Sequence, residues 1–188
     1  LGVRRQRQMC IRDRYCVVAL DFSGMGESEH REEYSQAMYS KEIKAVVDEM
    51  ECTKPICLAH SMGGAIAMFS TSMFPDLFSK IILLDSVVVL PPEKAEMMKS
   101  RRPKSRMEIA SDSIDNAISR FRLMPPQPCA QEYVLEYIAK TSYRETEQGW
   151  ILKSDPKISS TYTLDFISSS ETVSYTHLRA HETYQHLV

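Results

Sequence analysis

An α/β architecture built on a parallel sheet is predicted by three features of the chain: short continuous runs of β-forming apolar residues, amphipathic helical segments between them, and polar glycine-containing turns where the runs end. Tyr15 to Leu20 (YCVVAL) is the first run, and Asp21 to Ser28 (DFSGMGES) closes it with Gly24 and Gly26, as expected for a buried strand that ends in a loop. Ile43, Val46, Val47 and Met50 then recur at helical spacing with charges between them, which predicts a helix over 34–50 that buries this face. Pro55 to His60 (PICLAH) is a second strand, Ser61 to Phe69 (SMGGAIAMF) a helix of small residues that runs to about Pro75, and Ser79 to Asp85 (SKIILLD) a third strand. Parallel strands joined by helical crossovers of this length build a right-handed sheet covered on both faces.

From Pro91 the composition changes and a helical block is expected. Its clearest segments are 113–121 and 131–141, with Tyr133, Val134, Tyr137 and Ile138 as an apolar face, and the proline-rich stretch 125–128 between them.

The two ends fit neither template. Residues 1–14 (LGVRRQRQMCIRDR) are rich in arginine without a periodic apolar face, and residues 173–188 hold His177, His181 and His186, three of the five histidines. Both look like non-native sequence joined to a fragment, so fold reasoning is confined to the middle. The expected organisation is a leader at 1–14, a partial core at 15–90, a helical cap at 91–165 and the end of the fragment at 166–188.

Composition excludes several functions. The 188 residues carry 23 Lys+Arg against 25 Asp+Glu and have a pI near 6.2, so there is no basic footprint for a nucleic acid. The longest apolar stretch, Ile81 to Pro92, is broken by Asp85 and Ser86 and is too short for a membrane span. Cys10, Cys16, Cys52, Cys57 and Cys129 are irregularly spaced, which indicates neither a disulfide framework nor a metal site and favours a reducing, cytoplasmic setting. Cys57 reads as a small core residue. Gly24 to Glu29 (GMGESE) lacks the third glycine of a dinucleotide fingerprint and the lysine of a P-loop, so no nucleotide cofactor is expected.

The chemistry concentrates at 59–64 (AHSMGG), between a buried strand and a helix. A sharp strand-to-helix turn there would lift the Ser61 hydroxyl above the sheet, with Ala59, Gly63 and Gly64 giving the room that two closely passing backbones require. The Met62 backbone N–H, at the head of the helix, would then point toward the zone where an oxyanion develops, assisted by the helix dipole. The competing structural role for Ser61 is an ordinary helix N-cap. His60, next in sequence to Ser61, points to the opposite side of its strand and is expected to be a buried, satisfied histidine. His30 is expected at the surface.

These residues resemble the α/β-hydrolase fold superfamily, in particular its serine hydrolases with a helical cap. The resemblance runs from about Tyr15 to Asp165. It rests on the elbow at 59–64, with Ala59 in place of the usual first glycine, on Asp21, Gly24, Gly26 and Ser28 after the preceding strand, on Phe74-Pro75, and on the strand 81–85. It implies a partial α/β-hydrolase fold with the first and last strands missing. It further implies that Ser61 attacks a small carboxylic ester or related acyl compound, with Met62 as one oxyanion donor and no metal or other cofactor. It gives Asp21 a loop-shaping role. The family's catalytic histidine follows the last strand and is expected to be missing here, and Asp85 is a candidate acid because some members carry theirs at that strand end. Serine at the elbow argues against epoxide hydrolases and haloalkane dehalogenases, which use aspartate. Esterase, lactonase, carbon–carbon hydrolase and haloperoxidase stay open, as do a non-catalytic ligand-binding member and an inactive fragment.

Overall fold

The computed structural model describes residues 2–5, 15–50, 53–86, 93, 97, 110–124 and 126–162, the first group as backbone. The elements are β1 (Gly2–Arg5), β2 (Val18–Asp21), α1 (Gln36–Glu49), β3 (Ile56–His60), α2 (Met62–Met73), β4 (Lys80–Leu84), α3 (Ile114–Arg120), α4 (Glu132–Ser142), β5 (Tyr143–Thr146), β6 (Gly149–Leu152) and α5 (Ile158–Thr161). The α/β class and a parallel strand pair with flanking helices are therefore as expected. The tail 173–188, residues 6–14 of the leader and most of 91–109 fall outside the described residues.

β3 and β4 run parallel in register from Ile56 opposite Lys80 to His60 opposite Leu84. On one side of the pair α2 packs against the sheet, and Ala59 is buried there. On the other side Ile56 (55% exposed), Leu58 (66%), Ile82 and Leu84 are open to solvent. The sheet is thus covered on one face among the described residues, not on both. β2 does not join it. It pairs antiparallel with β1, Gly2 opposite Asp21 and Arg5 opposite Val18, so among the described residues three separate two-stranded sheets replace one continuous sheet. A crossover helix makes adjacency possible without enforcing it, because α1 satisfies its own packing on α2 wherever β2 finds its backbone partner. The leader consequently contributes a strand that its composition did not suggest.

α1 begins at Ser35, whose side chain accepts from the Met38 N–H at 3.1 Å. Its fully buried face is not the expected apolar one. Gln36, Tyr39, Ser40 and Glu42 lie inside, while Ile43, Val46, Val47 and Met50 are half-buried. The reason is the partner surface: Ser40 Oγ meets Ser70 Oγ of α2 at 2.9 Å, and both are buried. The core is aromatic. Tyr34, Tyr39 and Ile66 form its centre, with Phe22, Met38, Ile43, Met62, Ile158 and Tyr162 packed against it. Tyr39 lies 4.7 Å from Phe22 and 5.6 Å from Tyr162, ring centre to ring centre.

The helical block contains α3, capped by Ser113, and α4, but it also contains a β-hairpin. Thr146 faces Gly149 across a two-residue loop, and Gly149 adopts φ +113°. Ser111 bridges to Trp150 of the hairpin through two backbone hydrogen bonds, of 2.9 and 2.7 Å. α4 is rotated from its expected orientation: Tyr133 and Tyr137 are about 70% exposed and Ala139 is buried instead. A small residue lets the helix approach its neighbours closely, and the two phenols keep their hydroxyls in water.

Candidate functional site

Ser61 follows β3 and precedes α2 with φ +50° and ψ −121°. A side chain with a Cβ is strained there, at a cost of about 1–3 kcal/mol. Two neighbours hold it in place. The Ser61 N–H donates to Leu84 O at 3.0 Å, which extends the β3–β4 ladder by one bond, and its carbonyl accepts from the Gly64 N–H at 3.0 Å. The side chain makes no capping bond, and the residue is exposed. Ser35 and Ser113, the N-caps of α1 and α3, differ on each count: both have extended backbones, and both side chains accept from an N–H three residues on. The N-cap role therefore describes the position of Ser61 and not what its hydroxyl does.

Met62 is the first residue of α2, so its N–H has no carbonyl four residues back within the helix and is available to a ligand. Its side chain is seated on the Tyr34–Tyr39–Ile66 cluster. Of the two glycines, only Gly64 is required by space. A Cβ there would collide with the Ser86 side chain and lie 3.1 Å from Leu83 Cδ2, whereas one on Gly63 would meet nothing within 4 Å among the described residues. The expectation that both glycines make room is corrected to Gly64 together with the buried Ala59.

His60 is exposed, on the open face that also carries Ile56 and Leu58. The expected buried, satisfied histidine is overturned because no described element covers that side of the sheet. Asp85 follows β4 at φ +45°, between Leu84, which accepts from Ser61, and Ser86, which packs on Gly64. Its carboxylate is exposed and forms no hydrogen bond among the described residues, so it does not cap local backbone. Cys57 is half-buried, and burial pushes its thiol up to about 11.

The loop after β2 is shaped as expected around Asp21. Its Oδ2 accepts from the Glu27 N–H at 3.2 Å, its carbonyl accepts from Ser28 Oγ at 2.5 Å, and its carboxyl group occupies the space that a Cβ on Gly26 would need. Further residues, of which only His30 was singled out in the sequence, complete this region. Buried Glu42 accepts from the Ser23 N–H at 3.0 Å and from the Ser23 hydroxyl, with Arg31 Nε 3.5 Å away. The Tyr34 hydroxyl donates to Asp155 Oδ2 at 2.6 Å, and His30, exposed at the surface as expected, donates from Nε2 to the Lys153 carbonyl at 3.0 Å and so fastens two segments together. No local pattern announces these partners, which lie 121 and 123 residues apart in the chain.

Burial, reinforced by the bond to Asp155, pushes the Tyr34 phenol up to about 12, and burial raises Tyr39 as well. An unfolded tyrosine ionises near 10, so between about pH 10 and 12 the native state holds protons that the unfolded state has released. Stability from this source is complete below pH 10 and is lost as pH rises through that window. Thermal unfolding followed from pH 9 to 12 is expected to show a falling midpoint, and Tyr34→Phe to flatten the fall. An unchanged slope in the variant would assign it to other groups.

Among the described residues no group of histidine, cysteine and carboxylate side chains could hold a metal ion, and no helix is long and apolar enough to cross a membrane.

The family model described as alpha/beta hydrolase fold matches residues 7–132. A serine hydrolase-like protein of Danio rerio is 26% identical over 153 residues, 75% of this chain and 47% of the relative. Epoxide hydrolase 4 of Mus musculus is 34% identical over 74 residues, covering 38% of this chain and 21% of that protein. Among solved structures, E-2-(acetamidomethylene)succinate hydrolase superposes with a TM-score of 0.65 at 18% identity, over 81% of this chain and 56% of its own. The chain thus spans about half the length, or less, of the relatives it matches.

Proposed function

The chain belongs to the alpha/beta hydrolase fold family, and from that premise we propose that its parent protein is a serine hydrolase acting on a small carboxylic ester or related acyl compound. Ser61 attacks the acyl carbon, the alcohol leaves, and water releases the acid from the acyl-enzyme. The Met62 N–H donates to the oxyanion of both tetrahedral intermediates, and helix α2 adds its dipole. The observation that carries this reading is the backbone of Ser61: a strained φ of +50° at a strand–helix junction, with a hydroxyl that caps nothing. Strain of this kind persists where surrounding structure over-determines it, and here the Leu84 and Gly64 hydrogen bonds do so.

Serine at this position also supports ester chemistry over the epoxide chemistry named in the mouse relative, since in this fold an alkyl-enzyme route uses an elbow carboxylate. Asp85 is the candidate acid, because it stands one residue past the carbonyl that binds Ser61. The general base is a histidine supplied from outside the described residues. His60 lies on β3 immediately before the nucleophile, and His30 is engaged with Lys153 and Asp155. The 91–165 segment, with its hairpin, serves as the cap that shapes the acyl pocket, and the setting is cytoplasmic.

The test is hydrolysis of p-nitrophenyl acetate and butyrate by the 188-residue chain and by the reading frame extended through both ends on its source template. The extended protein is expected to release about one equivalent of nitrophenolate in a burst and then turn over. Ser61→Ala is expected to lower kcat by about a thousandfold or more, and the 188-residue chain to be no faster than its own Ser61→Ala variant. Full turnover in the extended Ser61→Ala protein would overturn the nucleophile. An extended frame with no histidine after its last strand and no turnover would overturn the hydrolase reading and leave a ligand-binding member or an inactive product.

A further inference from the structure

The segment that leaves the β5–β6 hairpin returns to the core next to the elbow, and the contacts that bring it there are polar and specific. The Asp155 N–H donates to Gly24 O at 2.8 Å, and its carboxylate accepts from the Tyr34 hydroxyl at 2.6 Å and from the Lys157 N–H at 2.8 Å. Asp155 and Tyr34 are both buried. Around this pair, His30 Nδ1 lies 3.6 Å from Asp155 Oδ2, Lys153 Nζ pairs with Glu27 Oε1 at 2.6 Å, and Lys157 Nζ pairs with Glu32 Oε2 at 2.8 Å. The exposed pairs contribute little on their own, whereas a buried carboxylate whose partners are removed costs several kcal/mol.

What Asp155 holds is significant for the elbow. Tyr34 belongs to the three-residue cluster on which Met62 is seated, together with Ile158 and Tyr162 from the same returning segment. Gly24 backs directly onto the Tyr34 ring, leaving no space for a side chain, so the ring is confined from the loop side as well. Its hydroxyl end accepts from the Arg31 N–H at 2.8 Å and gives its own proton to Asp155, the partner that comes from the returning segment.

We propose that Asp155 is a positioning residue for the elbow: by holding the Tyr34 hydroxyl it fixes the cluster beneath Met62, and through the Met62 side chain it fixes the direction of that residue's backbone N–H. This rests on the reading of Met62 as an oxyanion donor, but its physical content, a coupling between residues 153–162 and the elbow turn, is separable from catalysis. The two segments meet only through tertiary contacts, so loss of one carboxylate is expected to loosen both.

Amide hydrogen exchange on the 188-residue chain reads this directly, with no need for Ser61 to react. Asp155→Ala is expected to speed exchange about tenfold or more in peptides covering 153–162 and 61–66, and to leave peptides from 114–124 within twofold. Asp155→Asn, whose amide oxygen still accepts from Tyr34, is expected to restore both regions to within about threefold of the native rates. Tyr34→Phe deletes one oxygen atom and is expected to repeat the pattern at lower amplitude; it decides the matter alone if Asp155→Ala fails to fold. Faster exchange confined to 153–162, or a uniform rise across all peptides in Tyr34→Phe, overturns the proposal. In the extended protein, failure of Ser61 to form an acyl-enzyme while the exchange pattern holds would overturn the functional reading and leave the coupling standing.

Discussion

Ser61→Gly is expected to stabilise the chain by about 1 kcal/mol while removing the proposed nucleophile. The backbone at φ +50° and ψ −121° is the mirror image of an ordinary extended turn conformation, so glycine adopts it without strain. Relief of about 1–3 kcal/mol is offset by about 0.5–1 kcal/mol of added freedom in the unfolded chain. Ser61→Ala keeps the Cβ and loses no capping bond, so its expected effect on stability is close to zero. The internal control is Ser35→Ala, which removes the bond to the Met38 N–H and is expected to cost about 1 kcal/mol. Urea unfolding midpoints of the three variants test this. Equal losses for Ser61→Ala and Ser35→Ala would show that Ser61 is an N-cap after all, and a destabilised Ser61→Gly would remove the strain on which the functional reading depends.

Gly64→Ala is expected to cost about 3 kcal/mol, within the range for overpacking a site that cannot expand. The added methyl would overlap Ser86 Cβ and Oγ and press on Leu83, and these residues are anchored by β4 and by the Leu84 carbonyl that binds Ser61. Movement of Ser86 would therefore shift the strand end that sets the elbow, and acyl transfer in the extended protein is expected to fall with stability. Gly63→Ala, one residue away, meets open space and is expected to gain about 0.5–1 kcal/mol from helix propensity. Ser86→Gly in the Gly64→Ala background is expected to recover most of the loss. If Gly63→Ala proves the more damaging of the pair, the packing account of the elbow is wrong.

The elements around the elbow were legible because each is announced within a few residues. A continuous apolar run ending in AHSMGG can hardly be anything except a strand, a sharp turn and a helix, and the observed bounds of β3 and α2 differ from the expected ones by one or two residues at most ends. The loop after β2 was equally readable, since Asp21, Gly26 and Ser28 act on one another across seven positions. The hairpin was missed although Gly149 and the β-forming residues on either side signal it, because its setting between helices suggested a helical block. The buried face of α1 was misread for a different reason. Its apolar residues keep helical spacing, but the surface of α2 opposite offers Ser70, and a buried serine is satisfied by another polar group such as Ser40.

Taken by itself, the amino-acid sequence determined the α/β class, the site of the strained turn and the identity of the residue placed on it, because these follow from local sterics and short-range periodicity. Only the tertiary structure decided which strands pair, that His60 lies open while Tyr34 and Glu42 are buried, and that Asp155 reaches back to the core beneath Met62. Those outcomes depend on contacts between residues far apart in the chain. Their energies come from desolvation and hydrogen bonding at a shared surface, and no window of neighbouring residues contains both sides of that surface.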